Sequence, residues 1–355
     1  MRAYFIAVLL GTILAFNFGC SQESPEAVTQ EQELETIPAM PETTIDVKPV
    51  SSSKASAPRV LMREGKTYYF QKTIEQRLTG GAESATNPVS EEIELLIALH
   101  VLKALPGHYE IDVEFQSVRY HSQLGGRKII YDSRDQIVAP PEALPYQGLV
   151  GNGFQFVLTR DNQITRIEGY AEFLQNCVSE YSPESKQQFL NASGAHEHRP
   201  QKLVSAAMNF LDESIALLPF GELETQGNPF PVDSKWQKTF LKAQPVPVQE
   251  LLNARIEHVS GDGKTAHVVI QGDLKPIHSQ GTMTEDAVRT RFLGGTVTGS
   301  CSLSLTTGLP QSCRIQRDME IEMASLNHPT VTARKTVITS LEAWEPTFPA
   351  SISRP

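Results

Sequence analysis

Apolar and polar residues alternate along most of the chain between residues 59 and 346, and this period of two is typical of β-strands. The clearest run places Ile111, Val113 and Phe115 on one face, which predicts one buried and one solvated side. In the first half, strands are predicted at residues 68–77, 92–102, 109–120, 128–131, 154–159 and 164–167. In the second half they are predicted at residues 252–259, 266–271, 286–292, 296–305, 313–323 and 331–341, with Trp236 on an earlier strand.

A helical period separates these two β regions. Tyr170, Phe173, Leu174 and Cys177 recur at helical spacing and therefore share one helix face. Residues 182–184, Ser-Pro-Glu, are typical of a helix start, and a longer helix is predicted over residues 200–218. The pattern predicts an α+β fold, mostly β, in which two curved antiparallel sheets of meander type flank a helical insert.

The chain divides into six predicted segments. A signal peptide covers residues 1–19, and a lipid-anchored, acidic, disordered linker covers residues 20–58. The first β half then spans residues 59–168, the helical insert 169–222, the second β half 223–346 and a tail 347–355.

The N-terminal segment has the pattern of a bacterial export signal. An apolar run follows Arg2 and ends at Gly19 and Cys20, whose thiol is the predicted lipidation site. Asn17 and Phe18 depart from the usual lipoprotein cleavage pattern, so ordinary signal cleavage and an uncleaved anchor stay open as alternatives. All three alternatives place the protein outside the cytoplasm, and lipidation places it in the cell envelope, at the outer membrane or facing the periplasm.

Charge limits the partners of the protein. The chain has a formal net charge of -10, and residues 21–58 contain seven acidic and two basic side chains. No basic stripe with interleaved aromatic residues is present, which excludes nucleic acid as the expected partner. The expected partners are the membrane, reached through the N-terminal lipid, and a lipid or hydrophobic ligand; protein partners are not predicted.

Two of the four cysteines are placed to form a disulfide. A turn at residues 306–308, with Gly308 in the left-handed conformation, sets Cys301 opposite Cys313 and Leu303 opposite Gln311. A disulfide fits an exported protein, while two buried thiols are the alternative. Cys177 is predicted to be a core residue of its helix.

No catalytic motif of the common hydrolase, nucleotide-binding or metalloprotease types occurs in the chain. His196 and His198 are candidate metal ligands, although a solvated loop is the favoured interpretation of their segment. A hydrolase would use Tyr131, Asp132 and Ser133, or a metal at His196 and His198, but turn chemistry is the favoured explanation of residues 131–133. We therefore expect no catalytic residue and no cofactor.

Short motifs point to a family resemblance. They are Gly-Lys-Thr-Tyr at residues 65–68, Ile-Tyr-Asp-Ser at 130–133, Gly-Phe-Gln-Phe at 153–156 and Phe-Pro-Val-Asp-Ser-Lys-Trp at 230–236. With the signal and linker, the chain resembles uncharacterised bacterial, planctomycete-like cell-envelope lipoproteins. The resemblance implies a β-rich domain of unknown function and transfers no catalytic residue. At the level of architecture, the chain is also similar to envelope lipoprotein carriers that hold an acyl chain under a curved sheet.

The sequence therefore predicts a lipid-anchored envelope protein without enzymatic activity. Binding of a lipid, hydrophobic ligand or peptide is the expected function, because a half-covered apolar sheet face forms a groove. A structural or envelope-assembly lipoprotein without ligand is one alternative, and a secreted hydrolase is the other.

Overall fold

The fold is dominated by one sheet, seen in a computed structural model that describes residues 61–80, 89–124, 126–192, 200–218, 232–242, 248–276, 289–325 and 328–345. In this part of the chain, twelve strands pair antiparallel. The strands are β1 (Thr67–Thr79), β2 (Val89–Ala104), β3 (His108–Leu124), β4 (Arg127–Asp132), β5 (Gly153–Thr159), β6 (Ile164–Glu168), β7 (Lys235–Lys242), β8 (Val248–Val259), β9 (Thr265–Pro276), β10 (Arg289–Ser304), β11 (Pro310–Ser325) and β12 (His328–Trp344).

The first and last strands join the two halves of the domain. The strand order is β6-β5-β3-β2-β1-β12-β11-β10-β9-β8-β7, with β4 paired to β3. The predicted class, mostly β with antiparallel meanders on either side of a helical insert, is confirmed. The division into two sheets is corrected, because β1 and β12 pair along eleven positions and make the two meanders one sheet.

Few helices accompany the sheet. They are α1 (Leu144–Gln147), α2 (Tyr170–Cys177), α3 (Pro183–Ala192) and α4 (Pro200–Met208), with short 3-10 turns at Pro141–Ala143 and Glu213–Ala216. We refer to the described residues 170–192 and 200–218 as the insert. Among the described helices, none combines the length and apolar character that crossing a membrane requires.

Two predicted elements have different bounds in the structure. The helix predicted over residues 200–218 ends at Met208, because the Asp212 carboxylate accepts hydrogen bonds from the Ser214 backbone N–H and hydroxyl and starts a separate turn. The strands predicted at 286–292 and 296–305 are one bent strand. A bulge between Phe292 and Gly294 bends it without ending its pairing to β11.

The sheet curves around the insert. Helix α4 contacts both β6 and β7, which are the two terminal strands of the sheet order, so these edges approach each other across the insert. On the inner face, aromatic rings of the sheet and the insert form one cluster. Its members are Phe115, Phe154, Tyr170, Phe173 and Phe210. The buried face predicted from the alternation is therefore the concave face, and the insert covers it.

The β10–β11 hairpin contains the predicted disulfide. Cys301 and Cys313 lie directly opposite each other and are bonded, and Gly308 has the predicted left-handed conformation with a φ of 71°. The predicted pairing of Leu303 with Gln311 is wrong. A bulge after Ser302 shifts the register, so that Leu303 pairs with Pro310.

Candidate functional site

Charged side chains interrupt the apolar concave face. Most inward positions of the central strands hold buried residues such as Phe70, Leu95, Ile315 and Leu341. Other inward positions of the sheet hold buried charged residues, namely Lys72, Glu91, Glu250, Arg317 and Lys335. The insert contributes two more, Asp212 and Glu213. Because a buried charge is costly unless it is paired, the partners of these groups indicate what the face does.

Lys72 on β1 binds the point where α4 ends. Its Nζ donates to the backbone carbonyls of Asn209 at 3.1 Å and Phe210 at 3.4 Å. These carbonyls lie just after the last turn of the helix, where intrahelical partners are missing. The same Nζ lies 3.9 Å from the Asp212 carboxylate, so one side chain of the sheet holds three groups of the insert.

Arg317 on β11 connects the insert to a second strand. Its Nη2 donates to Glu213 of the insert at 3.1 Å, and its Nε donates to Glu250 of β8 at 2.8 Å. Its Nη1 lies 3.5 Å from the Thr339 hydroxyl. Lys72 and Arg317, which we call the interior cations, thus anchor the insert to the concave face through charge.

The other end of the insert is held by neutral hydrogen bonds. The Trp236 indole N–H donates to the carbonyl of Leu217 at 3.0 Å, and the Asn162 amide donates to the carbonyl of Leu218 at 3.2 Å. Trp236 belongs to β7, and Asn162 belongs to the turn between β5 and β6. The insert is therefore fixed to both edges of the sheet and, through the interior cations, to its centre.

A second buried polar group lies on the same face. The Tyr146 hydroxyl and the Gln76 amide donate to the two oxygens of Glu91, at 3.2 and 3.3 Å. Burial lowers the pKa of Lys335 well below its ordinary value, and the charge of Glu91 opposes this shift. The carboxylate that interacts with Lys335 is therefore carried by β2.

A cleft of about 330 Å³ opens at the ends of β1 and β2. Glu75, Arg77, Glu91, Glu92 and His121 are among its lining residues. Most of these residues carry polar ends, but apolar atoms make up the larger part of the lining surface. Since Glu91 and Gln76 belong to both, the cleft adjoins the concave face at the second buried polar group.

The hydrolase candidates are engaged in structural contacts. The Ser133 hydroxyl accepts the backbone N–H of Val118 at 2.9 Å. The Asp132 carboxylate accepts hydrogen bonds from Arg119 and Arg134, which hold the pKa of Asp132 far below its ordinary value. Because Ser133 binds the backbone of β3 and Asp132 binds two arginines, these contacts support a structural role for the turn.

The remaining sequence candidates are dispersed. Cys177 is buried and unbonded, and burial raises the pKa of its thiol, which favours the predicted core role. Cys20, His196 and His198 lie outside the described residues. Two further histidines, His258 and His267, stack with ring centroids 4.0 Å apart on neighbouring strands. Within the described ranges, no three His, Cys, Asp or Glu side chains gather in a way that could hold a metal ion.

The sequence does carry a signal for the interior cations. Lys72 follows Phe70 and precedes Ile74 at the apolar phase of β1, and Arg317 lies between Ile315 and Met319 at the apolar phase of β11. A cation at such a phase must find a buried partner. The partners, Asp212, Glu213 and Glu250, could not be assigned because they are distant in sequence.

Between pH 8 and pH 10, we expect the free energy of unfolding of the wild type to increase relative to that of Lys72→Met. Burial lowers the pKa of Lys72 from 10.5 to about 8, with Asp212 opposing the shift and Arg317 adding to it. The unfolded amine keeps its ordinary pKa, so between these values the unfolded state binds more protons and loss of a proton favours folding.

Denaturant unfolding of both proteins at pH 7, 8, 9 and 10 measures this difference. Taking the difference removes the contributions of Lys335 and the tyrosines, which are common to both proteins. A difference that stays constant across the series would contradict a buried Lys72 with a lowered pKa.

The fold and this site describe a single curved antiparallel sheet whose concave face is covered by an insert bound through buried charges. Residues 106–195, from just before β3 to the chain just after α3, match a family model described as "Family of unknown function (DUF6263)". This match fits the expectation of an uncharacterised domain. No curated protein matches the chain.

Two solved structures share a distant similarity in fold with this chain. Lipovitellin, described for its lipid–protein interactions, is 13% identical over 82% of this chain and 26% of its own, with a TM-score of 0.44. This chain thus spans about a quarter of the length of the lipovitellin chain. An outer membrane channel from Pseudomonas putida F1 is 7% identical over 84% of this chain and all of its own, with a TM-score of 0.22. Neither similarity is close enough to support a functional argument.

Proposed function

We propose that this protein is an exported, lipid-anchored binding protein of the cell envelope, which holds an apolar ligand between its curved sheet and its insert. It carries out no chemical reaction on that ligand. The lipidation site in this proposal is Cys20, and the compartment agrees with the disulfide between Cys301 and Cys313, since such bonds persist in oxidising environments.

The observation that supports this proposal most directly is the charged attachment of the insert. A permanent core gains as much or more stability from apolar side chains of similar volume as from buried ion pairs. Buried charges are better suited to an interface that separates, because water compensates Asp212 and Glu213 when they leave the face. The contacts of Lys72 and Arg317 therefore favour an insert that can detach.

Detachment of the insert would uncover an apolar surface. The concave face then presents buried aliphatic and aromatic side chains along every central strand. They include Phe70, Leu95, Ile97, Leu252, Ile270, Val297, Ile315 and Leu341. Exposure of such a face to water costs about 25 cal/mol per Å², so an acyl chain or similar apolar group is the favoured occupant.

We expect Glu213→Gln to raise the apparent affinity for an acyl ligand about tenfold. The amide keeps the shape of the side chain but loses the ionic hydrogen bond to Arg317, a contact of 3.1 Å. Loss of about 1.4 kcal/mol of insert binding increases the open fraction tenfold, and apparent affinity rises in proportion while that fraction is small. Native mass spectrometry of the chain from residue 20 onward, carrying Cys20→Ser, measures binding of oleate and oleyl alcohol.

Glu184→Gln is the matched control, since Glu184 is an exposed carboxylate on α3 of the same insert. It should leave both affinities unchanged. If neither ligand binds to the wild type or to Glu213→Gln, the binding function is wrong and a structural role is favoured. If ligands bind but Glu213→Gln has no effect, the site does not lie under the insert.

A further inference from the structure

Resting on the proposed function, we propose that Asp212 and Glu213 occupy the place of an anionic headgroup, so that the ligand is a single-chain amphiphile with a carboxylate or phosphate head. The insert would then be an internal competitor of the ligand. In the filled state, the interior cations would bind the head while the chain lies on the apolar face.

The two sides of this contact differ in how they are held. Lys72 and Arg317 lie on β1 and β11, which are paired with neighbours on both sides near the centre of the sheet. Asp212 and Glu213 lie on the insert, beside the turn Glu213–Ala216. When the insert leaves, the carboxylates leave with it and the interior cations stay on the face.

The balance of charges indicates that the head group of the ligand is an anion. With the insert in place, Lys72 and Arg317 face Asp212, Glu213 and Glu250, so the carboxylates outnumber the cations by one. Without the insert, the two cations face Glu250 alone and one positive charge is uncompensated. A neutral ligand would bury that charge against hydrocarbon, whereas an anionic head neutralises it.

The hydrogen-bond donors that become free also suit an oxyanion. Removal of the insert frees Lys72 Nζ from the carbonyls of Asn209 and Phe210 and frees Arg317 Nη2 from Glu213. A guanidinium presents planar donors that match carboxylate and phosphate oxygens, and an ammonium adds donors that rotate freely. The Thr339 hydroxyl, 3.5 Å from Arg317 Nη1, supplies a further polar group at the same place.

The second polar group shows why the head would bind here and not elsewhere on the face. Glu91 is carried by β2 of the sheet and not by the insert, so its charge remains beside Lys335 when the insert leaves. Its two oxygens also keep their hydrogen bonds from Tyr146 and Gln76. Movement of the insert therefore leaves Glu91 beside Lys335, whereas it removes two carboxylates from the interior cations.

The test compares three ligands with the same eighteen-carbon chain at pH 7: oleate, oleyl phosphate and oleyl alcohol. Affinities are measured on the chain from residue 20 onward carrying Cys20→Ser. We expect at least one of the two anions to bind at least tenfold more tightly than the alcohol, and the tighter anion identifies the head. Equal binding of all three would overturn the anionic head and leave the proposed function intact, whereas no binding of any ligand would overturn the proposed function itself.

Variants of the charged groups should move this preference in opposite directions. Lys72→Met should lower the ratio of anion to alcohol affinity at least fivefold, and Glu250→Gln should raise it, because it removes the carboxylate that stays on the face. Since Glu250→Gln retains both cations, it keeps the test decisive if Lys72→Met does not fold. The control is Arg314→Met on the outward side of β11, which should leave the ratio unchanged. Equal ratios in all four proteins would contradict the inference.

Discussion

Replacement of Arg317 by methionine is expected to lower the free energy of unfolding by about 3–5 kcal/mol, which is the range for removal of one partner of a buried ion pair. Arg317 is 8% exposed and donates to Glu213 and Glu250, both of which are almost fully buried. Methionine fills a similar volume but leaves two carboxylates on an apolar face without a cation. The cost arises from these remaining charges more than from the lost contacts.

Denaturant unfolding at pH 7 measures this loss, and Arg314→Met is the matched control. Arg314 lies on the same strand but points outward, where its guanidinium is 3.9 Å from Glu75 and 3.2 Å from the Ser340 hydroxyl. An exposed pair of this kind contributes about 1 kcal/mol or less. If both variants lose the same small amount, Arg317 is not a buried anchor of the insert.

A second comparison separates the charges from the packing. Adding Glu213→Gln and Glu250→Gln to Arg317→Met should recover part of the lost stability, because neutral amides cost less to bury than carboxylates. If the triple variant is less stable than Arg317→Met alone, the contacts of the two carboxylates matter more than their charge, contrary to our interpretation.

The double variant Cys301→Ala and Cys313→Ala is expected to lose about 3 kcal/mol relative to the oxidised protein. The two cysteines are separated by 12 positions, and a loop of that size restricts the unfolded chain by about this amount in the chain-entropy model. Both side chains are buried, so alanine introduces no polar group into the core.

Chemical denaturation with and without dithiothreitol measures this contribution. Reduction should bring the wild type close to the double variant, while the double variant itself should not respond to dithiothreitol. Cys177 provides an internal check, since it is buried and free and adds no bond for the reagent to break. A reduced wild type as stable as the oxidised form would show that the disulfide contributes nothing.

Many strands could be predicted because buried and exposed positions alternate along them. On β3, Ile111, Val113 and Phe115 are all buried, and the prediction for this strand falls inside its observed bounds. The helix over residues 200–218 was predicted too long because periodicity alone does not detect a competing cap. Asp212 binds the backbone of Ser214, and this local interaction ends the helical repeat.

The contacts of the site were harder to predict than the strands, because they join residues that are distant in sequence. The alternation shows that Lys72 and Arg317 occupy positions otherwise held by apolar residues. That both are bound to the insert depends on how the sheet curves. Curvature arises from strand twist and from bulges such as the one before Gly294, and local pattern does not determine their sum.

The pairing of β1 with β12 also has a consequence for the order in which the protein can fold. Each other neighbouring pair in the sheet forms within one half of the domain, so both meanders can assemble as the chain emerges. One edge of β1 pairs with β2. The other edge stays unpaired until β12 is present, and β12 lies near the opposite end of the domain in sequence. Until then each half exposes an open edge at what becomes the centre of the sheet, and such edges invite pairing with other chains. The union of the halves is therefore a late event, and the period before it is when the chain most needs protection from aggregation.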